Sequence, residues 1–306
     1  MRVGLDIGGT KTVGVVLDAG GSILATHRVP TGRGNAEVAA TAIAVIDELA
    51  QRSRVPSSSF TSIGIGIPGV VDAKTGEVSH AVNLGLTRLS LRHELAAHFA
   101  ASVAVENDVN AAAVGVWHLL ADPTLESMAY LNLGTGLAAG LVLDGRLRRG
   151  SRGTAGEIGH IPVDPHGPPC ACGQFGCLEL SASGAAIARL WPGAGDRALP
   201  ALLRAAAAGD ADAAAARDTL VANIAAAVRV LVLTIDVDVV VIGGGMISAE
   251  SPLIAAVQDV LDVWASRSPF IHSLELSSRV RYAPSAGALA AIGAAHLATP
   301  GVLSST

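Results

Sequence analysis

The sequence predicts an α/β protein of two lobes around a cleft, and three observations carry that reading. Each half of the 306-residue chain opens the same way, with a strand, a glycine turn and a returning strand, and then mixes in helices. Half of the residues are apolar and 15% are charged, enough for a large core and too apolar for any long disordered stretch. No low-complexity linker divides the halves, so the weak duplication reads as two lobes with a cleft between them, the place where ligands prefer to bind.

Taken in order, "RVGLDIG" (2–8), "TVGVVLD" (12–18) and "GSILATHRV" (21–29) are three strands joined by short turns, a meander. Residues 36–53 carry apolar side chains at helical spacing. A strand over 60–69, a helix over 89–99, a strand over 102–107 and a helix over 108–120 follow. The pattern restarts at 127–150 with a strand, a Gly-Thr-Gly turn, a strand and a turn at Asp144-Gly145. Helices over 181–190, 197–208 and 212–235, a buried strand over 238–245, a helix, more strands and an Ala-rich helix over 285–298 complete the chain. The expected division is a small lobe over 1–118, a large lobe over 119–284, and a last helix (about 285–306) that packs back on the small lobe.

Composition excludes several classes of function. The net charge of -5 is mild, and the one compact basic run, Arg146–Arg152, reads as a solvated turn, so no nucleic-acid partner is expected. Aromatic residues make up 3% of the chain, so Ala, Val, Leu and Ile must build the core. "MRVGLDIGGT" has no secretory pattern. The apolar stretch 219–243 is broken by Asn223, Arg229, Asp236 and Asp238, which suits a buried helix running into a strand and no membrane span. The cytoplasm is the expected location. Its thiols are reduced there, and an odd count of three cysteines disfavours a disulfide framework.

Glycine turns come next. "GIGIPG" (64–69) matches the dinucleotide fingerprint, but that fingerprint must open a helix, and Pro68-Gly69 leads into strand and turn. "DIGGTK" (6–11), "LGTGLAAG" (133–140) and "IGGG" (242–245) each follow a buried strand. Any one of them is as readily a plain connection. Together they favour a nucleotide, because such turns let backbone N–H groups approach phosphate oxygens. Gly8, Gly9, Thr10, Lys11, Gly134, Thr135, Gly136, Gly243, Gly244 and Gly245 are the candidate contacts, with Asp6 placed to hold Mg2+ directly or through water.

All the cysteines fall in "HGPPCACGQFGC" (166–177). With His160 the spacing is His-x9-Cys170-x-Cys172-x4-Cys177, three thiolates and an imidazole for a closed tetrahedral Zn2+ site. His166 competes for the fourth position. Buried structural cysteines and a redox pair are the alternatives; clustering among glycines and prolines argues against the first, and Cys-x-Cys spacing against the second. A closed site is structural. It would brace a loop whose carboxylates, Glu157 and Glu179, suit the neighbouring hydroxyls of a polyol, with the second ring nitrogen of His160 free to join them.

These motifs resemble the ROK family of sugar kinases and regulators from end to end: "LDIGGTK" (5–11), "GIGIPG" (64–69), "ENDVNAA" (106–112), "LGTG" (133–136), "GEIGH" (156–160), "CACGQFGCLE" (170–179) and "VIGGG" (241–245). The resemblance implies an actin-like ATPase (ribonuclease H-like) fold, a homodimer, and transfer of the γ-phosphoryl group of ATP to a hexose, commonly at the 6-hydroxyl. It implies Asp108 as catalytic base, with Asn107, Glu157, His160, Glu179, Asn83 and the turn at Gly66–Gly69 around the sugar. Asp108 at a helix start would stay ionised, although by itself it reads equally as an N-cap. Three departures stand out. Ala138 and Ala139 replace further glycines, and either crowd the nucleotide or pack. Leu86, Leu178 and Ser181 replace the aromatic rim of glucokinase-like members. The closing motif "SAGALAAIGAA" (285–295) is loose. Glucose is the first expected substrate and an N-acetylhexosamine the second. A sugar-binding regulator and a polyphosphate-dependent kinase stand behind them; family repressors carry a helix-turn-helix ahead of "DIGGT", for which five residues leave no room.

Overall fold

The first meander folds as read. In the computed structural model, which describes residues 1–193, 195, 198–247, 251–285 and 287–298, β1 (Arg2–Ile7), β2 (Lys11–Leu17) and β3 (Ile23–Pro30) are antiparallel neighbours. Then come α1 (Asn35–Ser53), β4 (Ser62–Ile67), β5 (Val70–Asp72), β6 (Glu77–Ala81), β7 (Leu86–Ser90), α2 (Leu91–Ala96), β8 (Ser102–Asn107) and α3 (Asp108–Leu120). β4 pairs parallel with both β1 and β8, giving the order β3-β2-β1-β4-β8.

The second half comprises β9 (Ser127–Leu133), β10 (Leu137–Leu143), β11 (Arg146–Arg148), α4 (Gly184–Leu190), α5 (Ala198–Ala207), α6 (Ala211–Ile235), β12 (Val239–Gly243), α7 (Leu253–Ser266), α8 (Pro269–Ser273), β13 (Val280–Tyr282) and α9 (Leu289–Leu297). Its sheet has the order β11-β10-β9-β12-β13, the same third-second-first-fourth-fifth sequence as the first. β12 runs parallel to β9 and β13, as β4 does to β1 and β8. The duplication in the sequence is a duplication of topology.

Two compact units result, one of Met1–Asp122, Gly140–Ala155 and Ala286–Thr306, the other of Pro123–Ala139 and Gly156–Ser285. In the first, Val38, Val45, Ile46 and Leu49 of α1 pack on Leu5, Ile63 and Ile65 of the sheet. The opposite face, through Val15 and Leu17, takes Ala291, Ile292 and Ala295 of α9. Here backbone meets backbone. A Cβ on Gly4 would lie 1.9 Å from the Ala291 carbonyl oxygen, and one on Gly64 would lie 1.7 Å from that of Ala294. α9 meets α3 as closely, since a Cβ on Gly293 would stand 1.8 Å from the Ala111 carbonyl oxygen. Part of the expected last helix, residues 286 and 299–306, lies outside the described residues.

Two expectations change. The helix expected over 89–99 is only α2, because Leu89 and Ser90 pair with Val78 and Glu77 of β6 and so end β7, in a separate three-stranded sheet, β5-β6-β7. Leu86 and Leu178 are buried at 3% and 0% exposure, so they fill core and form no aliphatic rim. α6 is long and apolar enough to cross a membrane by length and composition, but Leu220, Val221, Ile224, Val228 and Leu231 are spent inside the protein.

Gly64→Ala is expected to destabilise the protein by about 3 kcal/mol, because the new methyl must push α9 off the sheet. Gly287→Ala, with nothing within 4 Å of its added Cβ, is the control and should change little. Urea unfolding of the two variants measures the difference, and equal midpoints would refute the close-packing account.

Candidate active site

In the first unit the site grows from two strand ends. β1 stops at Ile7, and the Gly8 N–H donates to the Lys11 carbonyl at 2.9 Å to close the turn into β2. Asn83 lies against this turn: a Cβ on Gly9 would stand 3.2 Å from its Cβ. Asp6, the last residue but one of β1, keeps some exposure, but protein surrounds its carboxyl. Burial, and then the charge of Asp108, push its pKa up to about 7 against the pull of Lys11. A divalent cation there would relieve the repulsion between the two carboxylates, so the pair fits Mg2+.

The second strand end is β8. Asn107 caps α3: its Oδ1 accepts from the Val109 N–H at 2.9 Å and the Asn110 N–H at 3.3 Å, and its Nδ2 donates to the Gly69 carbonyl at 3.3 Å. One Nδ2 hydrogen is left for a ligand. The neighbour fills the cap, so Asp108 is the first helical residue, its carboxylate at the positive end of the helix, where ionisation is favoured. Its Oδ1 also accepts from the Val109 N–H at 3.0 Å. Gly66 makes room for this turn, since a Cβ there would lie 2.9 Å from that of Ala111 and 3.5 Å from the Asp108 Cα. "GIGIPG" opens no helix; β4 continues through a turn at Gly69 into β5.

In the second unit the two other glycine turns come together at the end of β9. Gly244 has φ +107° and would place a Cβ 2.4 Å from the Leu133 carbonyl oxygen, which accepts from the Met246 N–H at 3.1 Å. Only glycine lets one turn lie on the other like this. Gly134, Thr135 and Gly245 line a cavity of about 850 Å³ with apolar walls from Ile187, Ala188, Leu199, Pro200, Met246 and Ile247. An apolar slot floored by free-running backbone suits a flat base with a phosphate chain. Ala139 is buried at 3% exposure and its N–H donates to the Gly156 carbonyl at 2.8 Å, so its methyl packs.

The cysteine loop lies in the same unit. The ligand atoms of His160, Cys170, Cys172 and Cys177 all fall within 4.8 Å of one another, and His166 is outside the group. His160 Nδ1 is 3.8 Å from Cys170 Sγ, and the Cys172 and Cys177 sulfurs are 3.6 Å apart, too far for a disulfide. Zinc–thiolate bonds of about 2.3 Å require edges near 3.8 Å, so the donor set fits Zn2+. The Gln174 backbone N–H holds the Cys172 thiol down at about 6, ready to ligate near neutrality. Glu179 Oε1 sits 3.6 Å from His160 Nδ1 and 3.3 Å from Cys170 Sγ, and its other oxygen would be 3.0 Å from a Cβ on Gly136. A single carboxylate therefore joins the metal cluster to the Gly134–Gly136 turn. Glu157 is exposed, and its carbonyl accepts from the His160 N–H at 3.1 Å.

Asp6, Gly8–Lys11, Gly66, Asn83, Asn107 and Asp108 thus belong to one unit; Gly134–Gly136, Glu157, His160, Glu179, Gly243–Gly245 and the cysteines belong to the other. Two residues carry more than the sequence reading gave them. Arg149, inside the basic run read as a solvated turn, sends its Nε to Glu106 Oε2 at 2.5 Å. Glu106 is 4% exposed. The motif "ENDVNAA" contains the signal for Glu106, since a carboxylate inside an apolar strand needs a partner; nothing local marks Arg149.

Comparison with known proteins places these features. The model of the ROK family matches residues 2–300. The glucokinase of Halalkalibacterium halodurans is 32% identical over 282 residues, 86% of each chain. The N-acetylmannosamine kinase of Pasteurella multocida is 30% identical over 254 residues, 81% of this chain and 82% of the relative. Among solved structures, the ROK hexokinase of Thermus thermophilus superposes with a TM-score of 0.83 at 32% identity, covering 97% of each chain. A ROK glucokinase of Streptomyces griseus, in complex with glucose and AMPPNP, gives 0.77 at 29% identity, covering 97% of this chain and 98% of its own.

Two outcomes are expected. Purified protein should hold about one zinc ion per chain by elemental analysis. Cys177→Ser and His160→Ala should lose it, and His166→Ala should keep it; a zinc content untouched by either of the first two would remove the site. The second concerns Asp6, which binds its proton more tightly folded, at about 7, than in the unfolded chain, at 3.8. The folded protein therefore holds more protons between those values, and stability falls as pH rises through that window. Asp6→Asn should abolish this loss and, near pH 8, stabilise the protein by about 2 kcal/mol after allowance for partial exposure. Denaturation curves at pH 5 and 8 that shift alike for both proteins would contradict it.

Proposed function

The chain belongs to the ROK family and has its actin-like ATPase (ribonuclease H-like) α/β fold, and on that premise we propose that it is an ATP-dependent hexose kinase acting on the 6-hydroxyl of glucose. The observation that carries this reading is the turn at Asn107-Asp108. A neighbour performs the capping, and the Asp108 carboxylate stands at a helix N-terminus beside a glycine turn with its own acid, Asp6.

In this reading Asp108 accepts the proton of the sugar hydroxyl as its oxygen attacks the γ-phosphorus. One P–O bond forms, the bond to ADP breaks, and the proton stays on the carboxylate until product leaves. The Gly8–Lys11 backbone, Thr10 and Lys11 stabilise the transferring group. Asp6 would hold Mg2+, which supplies charge neutralisation along the phosphates. The base of ATP occupies the apolar cavity beside Gly134–Gly136 and Gly243–Gly245. Asn107 with its spare Nδ2 hydrogen, Asn83, the Gly66–Gly69 turn, Glu157, the Nε2 of His160 and Glu179 bind the sugar hydroxyls. His160, Cys170, Cys172 and Cys177 would hold Zn2+ with four protein donors, a structural role that would fix the loop bearing Glu157 and Glu179.

A second reading has a specific support. The similarity to an N-acetylmannosamine kinase covers four fifths of the chain, so an N-acetylhexosamine is the alternative acceptor. We place the protein in the cytoplasm as a homodimer, without nucleic acid or membrane as partner.

The test is ADP release from MgATP with glucose, mannose, fructose, N-acetylglucosamine and N-acetylmannosamine. Glucose should give the highest kcat/KM, and preference for an acetylated sugar would move the assignment to the second reading. Silence across the panel with sugar binding intact would point to a sugar-binding regulator or to a kinase with another phosphoryl donor, such as polyphosphate. Asp108→Asn should lower kcat by about a thousandfold and leave the sugar Kd within a few-fold; near-normal turnover would remove its role as base.

A further inference from the structure

We infer that Glu106 and Arg149 are positioning residues that fix the Asn107-Asp108 turn, an inference whose kinetic arm rests on the kinase reading above. Among the described residues Glu106 is the one charged residue that is buried, at 4% exposure. Its Oε1 accepts from the Asn107 N–H at 3.0 Å and from Asn110 Nδ2 at 3.0 Å. Its Oε2 accepts from Arg149 Nε at 2.5 Å, with the two side chains only 6% and 19% exposed. A single carboxylate thus grips the residue before Asp108 and the residue two after it.

Asn107 passes the constraint on, because its own side chain caps α3 and reaches the Gly69 carbonyl. Asp108 lies between two fixed points, and the orientation of a proton acceptor is worth most when it is held within a fraction of an ångström. Stability alone does not explain the arrangement, since well-packed apolar residues commonly replace a buried ion pair without loss. Arg149 has a second anchor. Its carbonyl accepts from the Ala155 N–H at 3.0 Å, closing the loop that leads directly to Gly156–His160. The guanidinium therefore ties the Asp108 turn to the first residue of the segment that runs on to Glu157.

The pair is tested as a cycle on the full-length protein with zinc bound. In Arg149→Met the carboxylate loses its partner; in Glu106→Gln an amide N–H faces the Arg149 donor. Each single variant should lower kcat at least tenfold while the KM for sugar and for ATP stays within threefold. The double variant E106Q/R149M removes the unpaired charge and the donor–donor clash, leaves Oε1 to accept from Asn107 and Asn110 and turns the new amide N–H toward a thioether, so kcat should recover at least fivefold over either single variant. Amide hydrogen exchange over residues 106–112 reads the positioning without turnover: it should quicken at least tenfold in each single variant and recover in the double. Singles with unchanged kcat and exchange, or a double that regains its melting temperature but not its kcat, would overturn the inference. If a single variant does not fold, the double decides by the same two measures. If the parent itself releases no ADP with any sugar, the kinase reading fails, and the exchange pattern alone still accepts or rejects the positioning role.

Discussion

The first unit depends on the absence of side chains between α9, α3 and the sheet. With Gly4, Gly64 and Gly293 at the crossings, helix carbonyls occupy the space where side chains would otherwise stand. This is how a chain with 3% aromatic residues packs densely: elements approach until their backbones touch. The consequence reaches the chemistry. α3 is held against the sheet by α9 and by the contact of Gly66 with Ala111, and Asp108 is the first residue of α3. The height of the acid above the sheet is set by the methyl groups missing at Gly64, Gly66 and Gly293.

The charges around that helix start are arranged with equal economy. Asp6 and Asp108 repel each other, and the fold keeps them close instead of inserting an arginine between them. The arginine nearby, Arg149, is spent on Glu106. The negative charge of Asp6 and Asp108 is thereby left without an arginine, a setting suited to a cation, while the buried carboxylate of Glu106 is neutralised locally. In the second unit Glu179 does comparable linking work, with one oxygen toward the cysteine cluster and the other toward Gly136.

Much of this was legible in the sequence because its signals are local. β8 and α3 meet at Asn107-Asp108 as read, since a cap residue and a change from alternation to helical period coincide there. The meander, the Gly-Thr-Gly turn and the β12 strand have the same clarity. What stayed hidden depends on distant partners. Leu89 and Ser90 continue the helical pattern that follows them, and only their pairing with Val78 and Glu77 of β6 makes them strand. Leu86 and Leu178 were assigned to a rim from their place in a motif, although their burial is decided by the tertiary core. Arg149 sits in a run with Arg146, Arg148 and Arg152, where Arg148 pairs locally with Asp144, and its own partner Glu106 lies 43 positions away. His160 and His166 could both reach the cysteines along the chain, and only the folded loop separates them.

The place of α9 in the chain bears on how this protein is made. β1 and β4 are synthesised early, yet the helix that covers their second face comes after nearly every other element. Until α9 leaves the ribosome, the bare stripe of Val15 and Leu17 and the carbonyl-accepting grooves at Gly4 and Gly64 face solvent. The second unit, bounded by Pro123 and Ser285, can collapse before that moment. A nascent chain therefore emerges with the residues of the second unit complete while the first still lacks its last helix, an interval in which the uncovered apolar face is open to a chaperone.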